Sequence, residues 1–126
     1  MNATQDDRAG LPLHGVRVIE FCHMVMGPTC GMILADMGAD VIKVEPLHGD
    51  TTRRLVHQGA GFFATYNRNK RSLALDLKSD SGLKAAKTLC VNADIVVENL
   101  RPGALAGLGL GYGALSADNP RLIYCA

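Results

Sequence analysis

Asn99, His23 and Lys78 are the residues whose types and positions best suit binding chemistry in this sequence. Asn99 closes one apolar run and opens the turn Leu100-Arg101-Pro102-Gly103. Its carboxamide, donor and acceptor together, either reads a ligand or caps its own backbone. His23 follows another apolar run, 16–21. With no carboxylate or serine at fixed spacing, it either satisfies loop backbone or meets a ligand. Lys78 falls at the first turn of a predicted helix, where a cation opposes the helix dipole. An anion held jointly by Lys78 and free helix amides is one reading and a solvated surface lysine the other. The polar cluster from Asn67 to Arg71 carries the same two readings.

Spacing argues against other chemistry. A strand, a Gly27-Pro28 turn, a helix and a strand ending at Glu45 imitate a dinucleotide site, yet residues 22–28 contain no GxGxxG to bring backbone amides to a pyrophosphate. Gly103, Gly107, Gly109, Gly111 and Gly113 lack the Lys-Ser/Thr of a phosphate loop and read as turn material. Cys22, Cys30, Cys90 and Cys125 never approach CxxC or CxxH spacing. They read as reduced, buried small hydrophobes, which implies no metal site and suits a cytoplasmic protein.

The elements that must position these residues follow from composition and pattern. A chain of 126 residues, 48% hydrophobic and 20% charged, has the size of one soluble domain. Its 13 basic and 12 acidic residues are scattered, so the net charge of +1 creates no field to steer nucleic acid. No apolar run approaches the roughly 18 residues of a membrane span, and residues 1–12, polar and without the apolar core of a secretory signal, read as a flexible N-terminal segment.

Apolar runs then alternate with helical patterns, which predicts an α/β fold. Strands are expected at 16–21, 41–44, 72–77, 94–98 and 122–125. A helix is expected to start near Pro28 and close at Gly38, packing Met26, Cys30, Ile33 and Met37 on the sheet. A second helix is expected from the Ser79 cap, with Leu83, Ala86 and Cys90 on one face. Short helices are expected at 62–66 and 112–117, and 45–61 reads as an exposed loop. Right-handed crossovers make this a Rossmann-like, doubly wound, mostly parallel sheet. Because its last strand coincides with Ala126, the chain reads as the truncated N-terminal part of a larger, two-domain fold.

Several runs carry a resemblance: Leu13-x-Gly-Val-Arg-Val, Gly27-Pro28, Ala35-Asp36-Met37-Gly38-Ala39-Asp40-Val41-Ile42-Lys43-Val44-Glu45, Asn69-Lys70-Arg71-Ser72, Leu75-Asp76-Leu77-Lys78 and Val97-Glu98-Asn99-Leu100-Arg101-Pro102-Gly103. In order and spacing, across 13–126, they resemble the family III CoA-transferases, the CaiB/BaiF family, which includes formyl-CoA transferase and α-methylacyl-CoA racemase. The resemblance implies an interlaced homodimer, each subunit with a large Rossmann-like and a small domain, and CoA bound at the carboxyl edge of the sheet. It implies CoA contacts from His23, Met24, Leu75, Lys78, Asn99 and Leu100. CoA thioester and carboxylic acid would be the substrates, with no resident cofactor.

In such transferases an aspartate attacks the acyl-CoA carbonyl to give a mixed anhydride. The released thiolate converts this to an enzyme-bound thioester that the acceptor acid opens. The resemblance places that aspartate beyond Ala126 and leaves Asp36, Asp40, Asp76 and Asp94 as caps or turn residues. The sequence departs from the pattern at Val25, where formyl-CoA transferase-like members carry glutamine, at Pro46, where some carry arginine, and at Gly107, where many carry a basic residue. This argues against oxalate as acceptor. CoA transfer is the leading reading, since His23 to Pro28 looks more like the transferase branch. A racemase or epimerase that removes the α-proton of an acyl-CoA, and a non-catalytic binding module, are the alternatives.

Overall fold

The computed structural model describes residues 8–126. Residues 1–7 of the segment expected to be flexible lie outside the described residues, while 8–12 belong to turns in which the Leu11 amide donates to the Arg8 carbonyl at 3.0 Å. Beyond them, five strands form one sheet: β1 (Arg17–Phe21), β2 (Asp40–Glu45), β3 (Arg71–Ala74), β4 (Ile95–Glu98) and β5 (Ile123–Cys125). Their order is β3-β2-β1-β4-β5 and every pairing is parallel. The helices are α1 (Met26–Asp36), α2 (Phe62–Tyr66), α3 (Asp80–Val91), α4 (Ala104–Gly107) and α5 (Tyr112–Asp118).

The central strands are continuous apolar runs because both sheet faces are covered, as parallel strands require. On one face Ile19, Phe21, Ile42, Val44 and Val96 pack with Ala86 and Cys90 of α3 and Leu115 of α5. On the other, Val18, Val41 and Val97 pack with Ala35, Cys30 and Leu34 of α1. Each fully buried aliphatic side chain contributes about 1.5–3 kcal/mol. Strand order reverses beside β1, between the β1-to-β2 and β3-to-β4 crossovers. This opens a crevice at the carboxyl ends, where open α/β sheets bind ligands.

The helix over 79–91 forms as its pattern predicts. Ser79 Oγ accepts the Gly82 amide at 3.1 Å, and Ala86 and Cys90 are fully buried. Lys78 is corrected by one turn position: it precedes the Ser79 cap and so stands outside the helix.

The face of α1 is also corrected. Met26 is 77% exposed, and Ile33 and Met37 are exposed too, while Gly27, Pro28, Gly31 and Ala35 face the sheet. Helix and strands approach too closely for larger side chains. A Cβ on Gly27 would stand 2.5 Å from Cys22 Sγ and 2.8 Å from Asn99 Cγ. The helix starts at Met26 rather than at Pro28. Pro28 remains tolerated because the first intrahelical amide bond is that of Thr29 to Val25 O, at 2.8 Å.

β3 is shorter than 72–77 and begins one residue earlier. The Leu75 amide still reaches Glu45 O at 2.9 Å, but Asp76 then turns the chain, accepting from the Lys78 amide at 3.0 Å. Of the cysteines expected to be buried, Cys22 and Cys90 are, Cys30 is half-buried and Cys125, on the edge strand, is exposed.

Candidate functional site

The turn 22–28 leaves β1 at the crevice and is fastened from several sides. Asn99, just past β4, uses both ends of its carboxamide on it: Oδ1 accepts the His23 amide and Nδ2 donates to the His23 carbonyl, each at 2.9 Å. Met24 follows with φ +66°, a left-handed conformation that a non-glycine residue holds only when its surroundings impose it. Thr29 Oγ1 donates to Val25 O at 2.7 Å and closes the turn onto α1.

Two cavities lie along this edge. One, of about 280 Å³, is bounded by the strand ends Phe21, Cys22, His23, Val44 and Glu45 and by Leu77 and Leu100. The second, of about 400 Å³, lies between 46–48 and 75–78. Pro46 and Leu77 border both, so the two form neighbouring parts of one groove. Among the sequence candidates, His23 and Leu100 line the first cavity, and Leu75 and Lys78 the second. Met24 and Asn99 line neither: Met24 is exposed on the turn and Asn99 braces His23 from behind. Apolar walls with His23, His48 and Lys78 at an open rim suit a ligand having a flat or apolar part and an anionic part.

Beneath this groove lies a buried polar network that motif spacing does not reveal. Glu20 of β1 and Lys43 of β2 are register partners, 0% and 1% exposed. The Lys43 ammonium meets Glu20 Oε1 at 3.3 Å, Cys22 O at 2.5 Å and Asp50 Oδ2 at 3.0 Å. The Lys70 ammonium meets Glu20 Oε2 at 2.6 Å, Pro28 O at 2.7 Å and Asn67 Oδ1 at 3.1 Å. Lys70 thus spends its three donors on three acceptors, while Lys43 bonds Cys22 O and Glu20 Oε1 and meets Asp50 Oδ2 as an ion pair. Gly31 makes room: a Cβ there would collide with Glu20 Oε2 and stand 3.2 Å from Lys70 Nζ. The signal available in sequence is a single charge of opposite sign inside each of two consecutive apolar strands.

Glu45 anchors the loop 46–54. Arg53 Nη2 and Nε donate to its two oxygens at 2.6 and 2.8 Å, Ser72 Oγ at 2.6 Å and the Asp50 amide at 2.7 Å. The Arg53 guanidinium also covers Phe63, 3.7 Å from the ring centre. Burial alone would raise the Glu45 pKa, but hydrogen bonds from Arg53, Ser72 and the Asp50 amide, with the Arg53 charge, outweigh it and hold the carboxyl at about 2. Asp50 is likewise lowered: burial opposes ionisation and bonds from Thr52 and Lys43 overcome it. Burial, followed by the Glu20 charge, pushes the Cys22 thiol far above its ordinary range, which disqualifies it as a thiolate nucleophile at neutral pH.

A folded-state pKa below the unfolded one gives stability that is complete above the unfolded value, 4.5, and is lost as pH falls towards 2. Glu45 should therefore contribute about 2–3 kcal/mol at neutral pH. Urea unfolding at pH 6 and pH 2.5 checks this. Glu45→Gln should be less stable than wild type at pH 6 and lose most of that deficit at pH 2.5; a deficit unchanged with pH counts against it.

Three further aspartates, Asp36, Asp40 and Asp94, have structural partners. Asp36 pairs with Arg68 and Asn69, and Asp40 with Arg71 at 2.7 Å. Asp94 accepts the Arg17 amide at 2.8 Å. Asp40 and Asp94 stand at the amino ends of β2 and β4, opposite the crevice. No group of three or more His, Cys, Asp or Glu among the described residues is arranged to hold a metal ion, and no helix among them is long and apolar enough to cross a membrane.

Fold and groove define an open parallel α/β protein with a groove at the strand reversal. Residues 13–126 match the model of CoA-transferase family III, and the chain belongs to that family. It is 44% identical to the succinate–glutarate CoA-transferase of Agrobacterium fabrum, over 91% of this chain and 32% of that protein. It is 45% identical to the α-methylacyl-CoA racemase of Mus musculus, over 89% of this chain and 26% of that protein. A crystal structure of a CaiB/BaiF family protein from Brucella suis superposes with a TM-score of 0.84 at 41% identity, over 91% of this chain and 32% of that one. The chain thus spans about a quarter to a third of the length of these proteins.

Proposed function

We propose that this chain forms the CoA-binding part of an enzyme that moves CoA between an acyl-CoA and an organic acid. The observation that carries the reading is the groove at the strand reversal, lined by His23, Leu75, Lys78 and Leu100 and floored by apolar strand ends, within a chain of this family. Its apolar part suits the flat adenine or the thin pantetheine arm and its cationic rim suits phosphate. CoA enters as substrate, so no resident cofactor is needed.

The nucleophile in this reading is an aspartate outside residues 1–126. Supporting this, Asp36, Asp40 and Asp94 are engaged in ion pairs or strand-end bonds, and Asp76 is engaged in the turn before α3. The aspartate adds to the acyl-CoA carbonyl and expels the CoA thiolate, leaving a mixed anhydride. The thiolate returns to the aspartyl carbonyl and releases the donor acid; the acceptor carboxylate then opens the resulting thioester to a second mixed anhydride, and the expelled thiolate attacks its acceptor acyl carbon, forming the new acyl-CoA and freeing the aspartate. A homodimer in the cytoplasm completes the reading. The exposed Met26, Ile33 and Met37 face of α1 is apolar surface that further protein would cover. The likeness to the mouse racemase supports α-proton exchange as the second reading.

Two measurements test the proposal. In the protein at its natural length, acyl-CoA and a panel of acids should yield exchanged thioesters; α-proton exchange without transfer would favour the racemase. Asn99→Ala should weaken CoA binding by about 1–3 kcal/mol in calorimetry by releasing the His23 backbone, and Lys78→Ala by less. Unchanged affinity for Asn99→Ala removes it from the site.

A further inference from the structure

We infer that Lys70, Glu20 and Lys43 form a positioning clamp that holds the turn 22–28 in the shape that receives CoA, an inference that rests on the function proposed above. The two ammonium groups bond the carbonyls at the two ends of that turn, Cys22 O and Pro28 O. The Glu20 carboxylate joins them, with one oxygen on each lysine. Asn99 fixes the middle through both polar atoms of the His23 backbone. The turn thus hangs from three side chains, Lys43 of β2, Lys70 before β3 and Asn99 just past β4, with Glu20 of β1 joining the two lysines.

Nothing about the sheet core requires this arrangement. A buried ion pair is weak evidence for stability, because apolar residues of similar volume often serve as well or better. Here the charges reach past one another to backbone carbonyls of one segment, the segment that carries His23 into the groove and holds Met24 at positive φ. A left-handed Met24 persists only where its neighbours over-determine it, and the clamp supplies that determination. Lys43 also reaches Asp50, which lines the same cavity as Cys22 and His23.

The test separates charge balance from positioning. Lys70→Met and Glu20→Gln each leave an unbalanced buried charge, so each should lower stability. The double variant Glu20→Gln/Lys70→Met removes one charge of each sign and keeps Lys43 opposite Asp50. Its unfolding midpoint should therefore return towards wild type. Pro28 O loses its lysine in the double variant, so amide exchange at His23 and Thr29, whose amides bond Asn99 Oδ1 and Val25 O, should stay about tenfold faster than wild type while α3 is unchanged, and the CoA dissociation constant should stay about tenfold higher.

Recovery of exchange protection and of CoA affinity along with stability would overturn the clamp, as would exchange at His23 and Thr29 that never changes. Should neither single variant fold, the charge-balanced double variant carries the comparison. If the wild-type protein binds no CoA but the exchange pattern is as stated, the CoA reading fails and the clamp stands.

Discussion

Gly31→Ala is expected to destabilise the protein by about 3–5 kcal/mol, far beyond the usual effect of adding one methyl group to a helix. Alanine is the better helix former, and at an open helical position the change would help by up to about 1 kcal/mol. At Gly31 the new Cβ collides with Glu20 Oε2 and lies 3.0 Å from Glu20 Cδ and 3.2 Å from Lys70 Nζ. Overpacking by itself costs about 1–3 kcal/mol. Here the atoms that must move are a fully buried carboxylate and its ammonium partner, 2.6 Å apart, so relief of the clash weakens the ion pair. Breaking such a pair costs about 3–5 kcal/mol. Gly113→Ala is the internal comparison: it lies in α5 with nothing within 4 Å of its Cβ position, and it should be neutral or mildly stabilising. Equilibrium unfolding in urea measures both, and a Gly31→Ala protein within 1 kcal/mol of wild type would show that α1 can shift outward to accommodate the methyl.

Gly31 also shows where the sequence is easy to read and where it is not. Strand positions are legible because burial on two faces demands unbroken apolar runs such as Val18-Ile19 and Val41-Ile42, and only one fold class arranges five of them with helices between. The buried face of α1 is not. Apolar periodicity selects Met26, Cys30, Ile33 and Met37, but closest approach is marked by the absence of side chains at Gly27 and Gly31, to which a hydrophobic pattern is blind. Met26, Ile33 and Met37 are instead apolar surface exposed to solvent in this chain.

The candidate site divides along the same line. His23, Leu75, Lys78 and Leu100 stand along the groove because they follow strands, and strand ends are legible. For Asn99 the residue type leaves two uses open, and the structure shows its carboxamide committed to the His23 backbone at the groove edge. Lys43 and Lys70 stand in runs that the sequence singles out, but their pairing does not show there, since the partners lie 23 residues away for Lys43 and Glu20 and 50 for Lys70 and Glu20. Only the register of β1 against β2 makes the first pair visible.

Lys43→Met should be the most damaging single change on the sheet itself, at about 3–5 kcal/mol, because it leaves the buried Asp50 carboxylate without its cation and takes one of two cations from Glu20. Lys43 is 1% exposed and stands between Glu20 Oε1 and Asp50 Oδ2 at 3.3 and 3.0 Å, so its removal brings their negative charges together without a cation between them. Lys70 still serves Glu20, but among the described residues no other cation stands within ion-pair distance of Asp50. The damage should therefore concentrate on Asp50 and be relieved when its charge goes as well. Asp50→Asn alone leaves Lys43 to Glu20 and Cys22 O and retains a side-chain oxygen for the Thr52 bonds. In a double-mutant cycle, Lys43→Met/Asp50→Asn should be about 1–3 kcal/mol more stable than the sum of the single losses. Urea midpoints with unchanged slopes decide it: strict additivity would mean that Lys43 acts through Cys22 O and Glu20 alone, and that Asp50 holds the loop 46–54 through Thr52 without the lysine.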